Sequence, residues 1–105
     1  MRTSNRVIWE NSMRLLEFIG ERGAKTRDHA AVLSYRQMSD AVGLSVQQVR
    51  FLCVRLEKGG MLVISSRFAP DGGQLANGYT LTSRGRMALR EARRVGSLGW
   101  AADCR

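Results

Sequence analysis

Apolar side chains recur at helical spacing in the first part of the chain. Over residues 5–21 they occur singly or as neighbouring pairs that recur about once per helical turn, and charged residues occupy the other faces. The apolar positions are Ile8, Trp9, Met13, Leu15, Leu16 and Ile19. Gly20 and Gly23 follow, and glycine commonly ends helices. The pattern predicts an amphipathic helix, followed by a polar loop over 22–31.

Two helix starts follow in close succession. In each, a serine, Ser34 or Ser45, is followed three residues later by glutamine, which is the spacing of a capping box. The predicted helices run over about 35–42 and 46–58. The Gly-Leu-Ser segment at 43–45 is a tight turn of the kind that joins helices at a steep angle.

After the second of these helices the hydrophobic period changes from helical to alternating. Residues 61–66 are rich in β-branched side chains, and 79–82 alternate apolar with polar. The segment between them contains two turn signals, Asp71-Gly72 and Asn77-Gly78. This predicts an antiparallel hairpin with a long loop, and Val32-Leu33 is a candidate third strand.

A last helix is predicted over about 83–95. We expect its inner face to hold Met87, Ala88, Ala92 and Val95, and its outer face Arg86, Arg90, Arg93 and Arg94. Residues 96–105 show no period and are expected to form a loose tail, in which Trp100 is the candidate for packing against the rest of the chain.

Charge is the most informative part of the composition. The 105 residues carry 17 Lys+Arg against 9 Asp+Glu, a formal net charge of +8, which favours a polyanionic partner such as nucleic acid. The length suits one domain. No apolar run is long enough to span a bilayer, and the first residues do not resemble a signal peptide, so a cytoplasmic protein without a membrane partner is expected.

Few side chains suit catalysis or metal binding. The chain has one histidine, His29, and two widely separated cysteines, Cys53 and Cys104, so the short-spaced ligand pairs of a zinc site are missing. The acidic residues are scattered. We therefore expect no enzyme, no metal and no cofactor, and we interpret Cys53 as a core residue.

The residue patterns of two segments resemble those of a known protein family. SYRQMSDAVGLSVQQVRFLCVRLEKGGML at 34–62 resembles the capped helix, Gly-Leu-Ser turn and recognition helix of winged helix-turn-helix domains. GYTLTSRGRMALREA at 78–92 is similar to the second wing strand and following helix of MarR-like regulators, in which Leu-Thr, two residues and Gly recur.

The resemblance implies an α+β fold with a three-helix core, a two- to three-stranded β-wing and a C-terminal helix. It implies a domain over 1–95, with the recognition helix at about 46–58, the wing at about 61–82 and a tail at 96–105. Such domains bind double-stranded DNA, commonly as dimers on inverted repeats.

A helical wheel of the recognition helix separates two faces. Val49, Leu52, Cys53 and Leu56 share one face and are the predicted core. The opposite face holds Gln47, Arg50, Phe51, Val54 and Lys58, with Val46 at its margin. Arginine binds guanine and glutamine binds adenine bidentately, while apolar groups contact the thymine methyl. The candidate base-reading residues are therefore Val46, Gln47, Arg50 and Phe51, unless this face is merely solvated.

A second set of residues is expected to contact phosphates. Phosphate contacts supply affinity and register, and they make binding salt-dependent. The alternatives are a solubilising, arginine-rich surface and an arginine excess that reflects GC-rich coding bias. The candidates are Ser34, Arg36, Ser45, Lys58, Arg67, Arg84 and Arg86.

Two functional hypotheses remain open. The first is a small transcriptional regulator, most plausibly a repressor, that forms a homodimer through its terminal helices. The candidate dimer surface comprises the first helix with Trp9 and the last helix together with Trp100. The second is a winged-helix protein-interaction module, or a replication or partition accessory protein of a mobile element. Apolar Phe51 and Val54 on the presumed reading face favour an interaction module. No ligand pocket is readable, so the small-molecule effector stays unknown.

Overall fold

The computed structural model describes residues 5–68, 70–71 and 74–95. The predicted α+β class and the winged helix-turn-helix order are confirmed. The elements are α1 (Asn5–Gly23), β1 (Ala31–Leu33), α2 (Tyr35–Val42), α3 (Val46–Lys58), β2 (Leu62–Phe68), β3 (Gln74–Leu81) and α4 (Ser83–Arg94). The predicted tail at 96–105, with Trp100, lies outside the described residues. None of the described helices has the length and apolar character needed to cross a bilayer.

Both predicted capping boxes are present. Ser34 Oγ accepts from the Gln37 N–H at 3.0 Å, and the Gln37 side chain accepts from the Ser34 N–H at 2.8 Å. The Ser45 box has the same two bonds at 3.1 and 2.9 Å. Gly43 ends α2 in the left-handed conformation at φ 72°, which glycine adopts without strain. These local interactions fix where α2 ends and α3 begins.

The three strands form one antiparallel sheet in the order β1-β3-β2. The candidate third strand is confirmed, since Val32 pairs with Gly78 and Leu33 with Asn77. The predicted turn at Asn77-Gly78 is therefore wrong. Its backbone is used in pairing with β1 on one side, and Gly78 also pairs with Ser65 of β2 on the other. Pairing within the sheet overrides the local turn preference.

The core lies between α1, α2, α3 and the inner face of the sheet. The predicted buried face of α3 is confirmed at all four positions, Val49, Leu52, Cys53 and Leu56. From α1 the buried apolar residues are Met13, Leu15, Leu16 and Ile19, whereas Trp9 is 38% exposed. Helix α1 also continues to Gly23, two residues beyond its predicted end.

Helix α4 is rotated relative to its predicted orientation. Met87 and Val95, expected inside, are 66% and 55% exposed, and the buried positions are Gly85, Leu89 and Ala92. The reason is a close approach at the start of the helix. A Cβ added at Gly85 would lie 2.2 Å from the Met61 carbonyl oxygen, so only glycine fits there.

Thr82 completes the attachment of α4. Its Oγ1 accepts from the Gly85 N–H at 3.0 Å and donates to the Gly60 carbonyl at 2.6 Å. The Thr82 N–H donates to the Met61 carbonyl at 3.1 Å. The Thr-x-x-Gly pattern thus joins the end of α3, the base of the wing and the start of α4. We call these four residues, Gly60, Met61, Thr82 and Gly85, the wing base.

Candidate nucleic-acid interface

Helix α3 presents a continuous exposed face opposite its buried one. Gln47, Phe51, Val54 and Lys58 follow one another at helical spacing along it, and all four are exposed. Phe51 is 50% and Val54 47% exposed. The face therefore combines one amide, one cation and two apolar side chains, which suits contact with base edges and methyl groups.

Val46 and Arg50 lie beside this stripe, on the N-terminal half of α3. Val46 is 37% exposed, and Arg50 is exposed as well. The structure therefore brings the four candidate base-reading residues together on the first turns of one helix. This is the part of a helix-turn-helix that enters the major groove in proteins that use it to bind DNA.

The Arg50 guanidinium stacks on an aromatic ring from the preceding helix. Its Cζ lies 5.6 Å from the centroid of Tyr35, the first residue of α2. Arg55 makes a second contact of this kind within α3, at 5.6 Å from the Phe51 ring. Both distances lie inside the range of cation–π attraction. Sequence reasoning missed Tyr35, since its contact depends on the angle between two helices.

Packing against the hydrophobic core holds the Tyr35 side chain in place. It is half-buried and packs against the core cluster, next to Tyr79 of β3, which is 1% exposed. Burial raises the pKa of the Tyr79 hydroxyl, and the neighbouring Tyr35 raises it further, while a hydrogen bond from Asn77 acts in the opposite direction. The ring that carries Arg50 therefore belongs to a packed pair of tyrosines.

The candidate phosphate-contacting residues occupy several elements around α3. Ser34 and Ser45 use their hydroxyl oxygens to cap α2 and α3. The cations are exposed and lie on α2, at the end of α3, on β2 and at the start of α4. They are Arg36, Lys58, Arg67, Arg84 and Arg86.

Two of these cations interact with the protein itself. Arg86 donates to the Leu81 carbonyl at 3.1 Å and to Ser83 Oγ at 3.2 Å. Arg67 lies near Asp28, whose pKa is lowered first by a hydrogen bond from the Ala30 N–H and also by the charge of Arg67. The Asp28 carboxylate lies close enough to Arg67 to offset part of its positive charge.

The arginines at the far end of α4 form ion pairs. Arg93 binds Glu17 of α1 at 2.9 Å, and Arg94 binds Glu91 at 2.5 Å. Glu17 is only 16% exposed, so its pair with Arg93 is the more shielded one. These pairings reduce the positive charge that this end of α4 presents to a polyanion.

A cleft of about 590 Å³ opens between α1, α4 and the end of β3. Gly20, Leu81 and Leu89 line its apolar part, and Glu17, Arg86 and Arg93 are among its charged residues. Sequence reasoning identified no pocket, because these residues come together only when α4 folds back onto α1.

The described residues contain no group of three or more His, Cys, Asp or Glu side chains placed to hold a metal ion. Cys53 is a free, buried thiol. Burial, together with the nearby Glu57 charge, raises its pKa to about 12, which disfavours the reactive thiolate.

Comparison with known proteins supports the fold. The chain resembles the solved structure of Bordetella bronchiseptica BpsR, described for the regulation of its DNA binding by 6-hydroxynicotinic acid, with a TM-score of 0.56 at 17% identity. The match covers 93% of this chain and 68% of BpsR. No protein-family profile and no curated protein matches significantly. At this identity the similarity establishes a shared fold.

Proposed function

We propose that the protein binds double-stranded DNA in a sequence-specific manner and acts as a small transcriptional regulator, most plausibly a repressor. The observation that carries the proposal is the exposed N-terminal half of α3. It presents Gln47 and Arg50 from the second helix of a capped helix-turn-helix, in a chain with a net charge of +8. BpsR, which shares the fold, is itself a protein whose DNA binding is regulated.

In the proposed complex α3 lies in the major groove. Arg50 donates two hydrogen bonds to guanine O6 and N7, and Gln47 pairs bidentately with adenine N6 and N7. Val46 and Phe51 contact thymine methyl groups. The apolar exposure of Phe51 then has a function, because the C5-methyl of thymine is the one apolar feature of the groove.

In the proposed complex, phosphate contacts surround α3. The Ser34 and Ser45 caps place the first turns of α2 and α3 beside the DNA backbone. Positive charge to attract the phosphates comes from Arg36, Lys58 and, in the wing, Arg67. Arg84 and Arg86 extend the positive rim to the start of α4. These contacts position the protein and are common to all sequences.

We further propose a homodimer formed through the terminal helices. Trp9 on α1 and Met87 and Val95 on α4 are large apolar side chains at 38%, 66% and 55% exposure. One recognition helix reads only a few base pairs, so a twofold dimer on an inverted repeat doubles the sequence read. We place this protein in the cytoplasm, where such DNA is accessible.

The decisive experiment is selection of a binding sequence from a randomised duplex library, followed by titration of the selected and a scrambled duplex. Arg50→Ala is expected to weaken binding to the selected duplex about 5- to 150-fold, from about 1–3 kcal/mol for one bidentate base contact. Binding to the scrambled duplex should change little.

Arg22→Ala is the matched control, because Arg22 is an exposed arginine at the end of α1 that also lies 5.6 Å from an aromatic ring, that of Phe18, and stands outside the proposed DNA interface. It removes the same charge and is expected to preserve the ratio of the two affinities. Equal weakening of both duplexes by Arg50→Ala would make Arg50 a phosphate contact. Failure of the wild-type chain to select any sequence would overturn the proposed function.

The second candidate is a protein-interaction module, or a replication or partition accessory protein of a mobile element. The half-exposed Phe51 and Val54 favour it, since aromatic side chains are enriched in protein interfaces. A folded chain without any DNA binding at low salt would support the interaction module. Sequence-specific binding at sites away from promoters would support the replication or partition role.

A further inference from the structure

We infer that Tyr35 is a positioning residue for base reading, whose ring holds the Arg50 guanidinium on the groove-facing side of α3. The inference rests on the proposed function and adds a residue to it. The observation is the distance of 5.6 Å between Arg50 Cζ and the Tyr35 ring centroid, across two helices. Attraction between a guanidinium and a ring face extends to about 6 Å.

By holding Arg50, the Tyr35 ring reduces the conformational entropy that this arginine loses when it binds a base. A free arginine samples many rotamers, and ordering it on a base edge lowers affinity. Bidentate recognition of guanine also requires the planar guanidinium in one orientation. A ring that restricts Arg50 before DNA arrives reduces both costs, so the effect of Tyr35 appears in specific binding.

The Tyr35 ring is fixed well enough to serve as a platform. It is the first residue of α2 and lies within the capping box formed by Ser34 and Gln37, so its backbone position is set. Its ring packs on the core beside the buried Tyr79. The Arg55–Phe51 contact has the same 5.6 Å distance, but Phe51 is itself 50% exposed and lies one turn away on the same helix.

The test is a double-mutant cycle on the duplex selected by the wild-type chain. Tyr35→Leu is expected to lower the ratio of specific to scrambled affinity about two- to fivefold when Arg50 is present. In the Arg50→Ala background it should have no effect on this ratio. Tyr35→Phe keeps the ring and should retain the wild-type ratio.

Phe18→Leu provides a matched control. Phe18 also packs against the core and lies 5.6 Å from an arginine, Arg22, but both are on α1. Its substitution removes an aromatic platform of the same geometry away from α3 and should leave the specificity ratio unchanged. A loss of specificity as large as that of Tyr35→Leu would mean that general destabilisation is responsible, and it would overturn the inference.

A second measurement keeps the inference testable if Tyr35→Leu does not fold. In NMR spectra of the free wild-type chain, the Arg50 Nε–H proton should be shifted upfield by the tyrosine ring current, relative to that of the exposed Arg36. Tyr35→Phe should preserve the shift, and Tyr35→Met, whose flexible side chain fills the same space, should remove it. Absence of the wild-type shift would overturn the inference.

The outcomes separate the two proposals. A wild-type chain that selects no sequence overturns the proposed function. A chain that selects a sequence, while Tyr35→Leu is additive with Arg50→Ala or leaves the ratio unchanged or higher, overturns only the role of Tyr35.

Discussion

The salt dependence of DNA binding tests the docking orientation most directly. About three to five cations of each protomer line the proposed phosphate rim, so the logarithm of the binding constant should fall with the logarithm of salt at a slope of about −3 to −4.5 per protomer. Arg67→Ala is expected to make this slope shallower by about 0.9 and to weaken all sequences alike. Titrations at four or more salt concentrations, on selected and scrambled duplexes, measure both quantities.

Arg67 has a negatively charged neighbour, Asp28. The pKa of the neighbouring Asp28 is lowered first by the hydrogen bond from the Ala30 N–H and also by the Arg67 charge, so the two side chains interact electrostatically. Removing Arg67 therefore leaves an uncompensated negative charge near the DNA. Conversely, Asp28→Asn should strengthen binding to every duplex, with the largest gain at low salt, where the Debye length is longest.

Arg94→Ala is the matched control for Arg67→Ala. It removes the same formal charge from the far end of α4, where Arg94 already pairs with Glu91. Its effect on the slope should be smaller and should arise only from long-range attraction. If Arg93→Ala or Arg94→Ala reduces the slope more than Arg67→Ala does, α4 lies along the DNA and the proposed orientation is wrong.

Three further predictions follow from other parts of the molecule. Gly85→Ala should lower the free energy of unfolding by about 3 kcal/mol, because the new Cβ would lie 2.2 Å from the Met61 carbonyl oxygen. Urea denaturation measures this change. As a control, Gly43→Ala meets open space but keeps a φ of 72°, so it should lower the free energy of unfolding by only about 1 kcal/mol. The free energy of unfolding should fall as the pH rises from about 9 to 12, because the unfolded Cys53 thiol ionises near 9.0 and the folded one near 12. Cys53→Ala should make this fall shallower, and the part that remains above about pH 10 should come from Tyr79, whose pKa burial also raises from 10.0. Light scattering should show a dimer at high micromolar concentration that Trp9→Glu weakens, and a wild-type monomer there would contradict the proposed dimer.

The parts of the fold set by short-range interactions were predictable from the sequence. The Ser34 and Ser45 capping boxes act within four residues, so they locate α2 and α3 without knowledge of the rest of the chain. The buried face of α3 follows from helical periodicity alone, since a helix that packs on the core with one side and meets solvent with the other has a single apolar face.

The errors arose where a tertiary contact overrides a local signal. Met87 and Leu89 both suit an inner face of α4, and the close approach at Gly85 decides which of them turns inward. Asn77-Gly78 is a strong turn signal in isolation, but β1 pairs with it. The stacking of Arg50 on Tyr35 depends on an interhelical angle, which no sequence pattern encodes.

The wing base also determines how motion would pass through the molecule. Because Thr82 and Gly85 attach α4 to Gly60 and Met61, the start of α4 is held in a fixed orientation relative to the end of α3. In a dimer paired through its terminal helices, the angle at which the two α4 helices cross would therefore set the distance between the two α3 helices. An operator with altered half-site spacing would then be matched by substitutions on α4, far from any base.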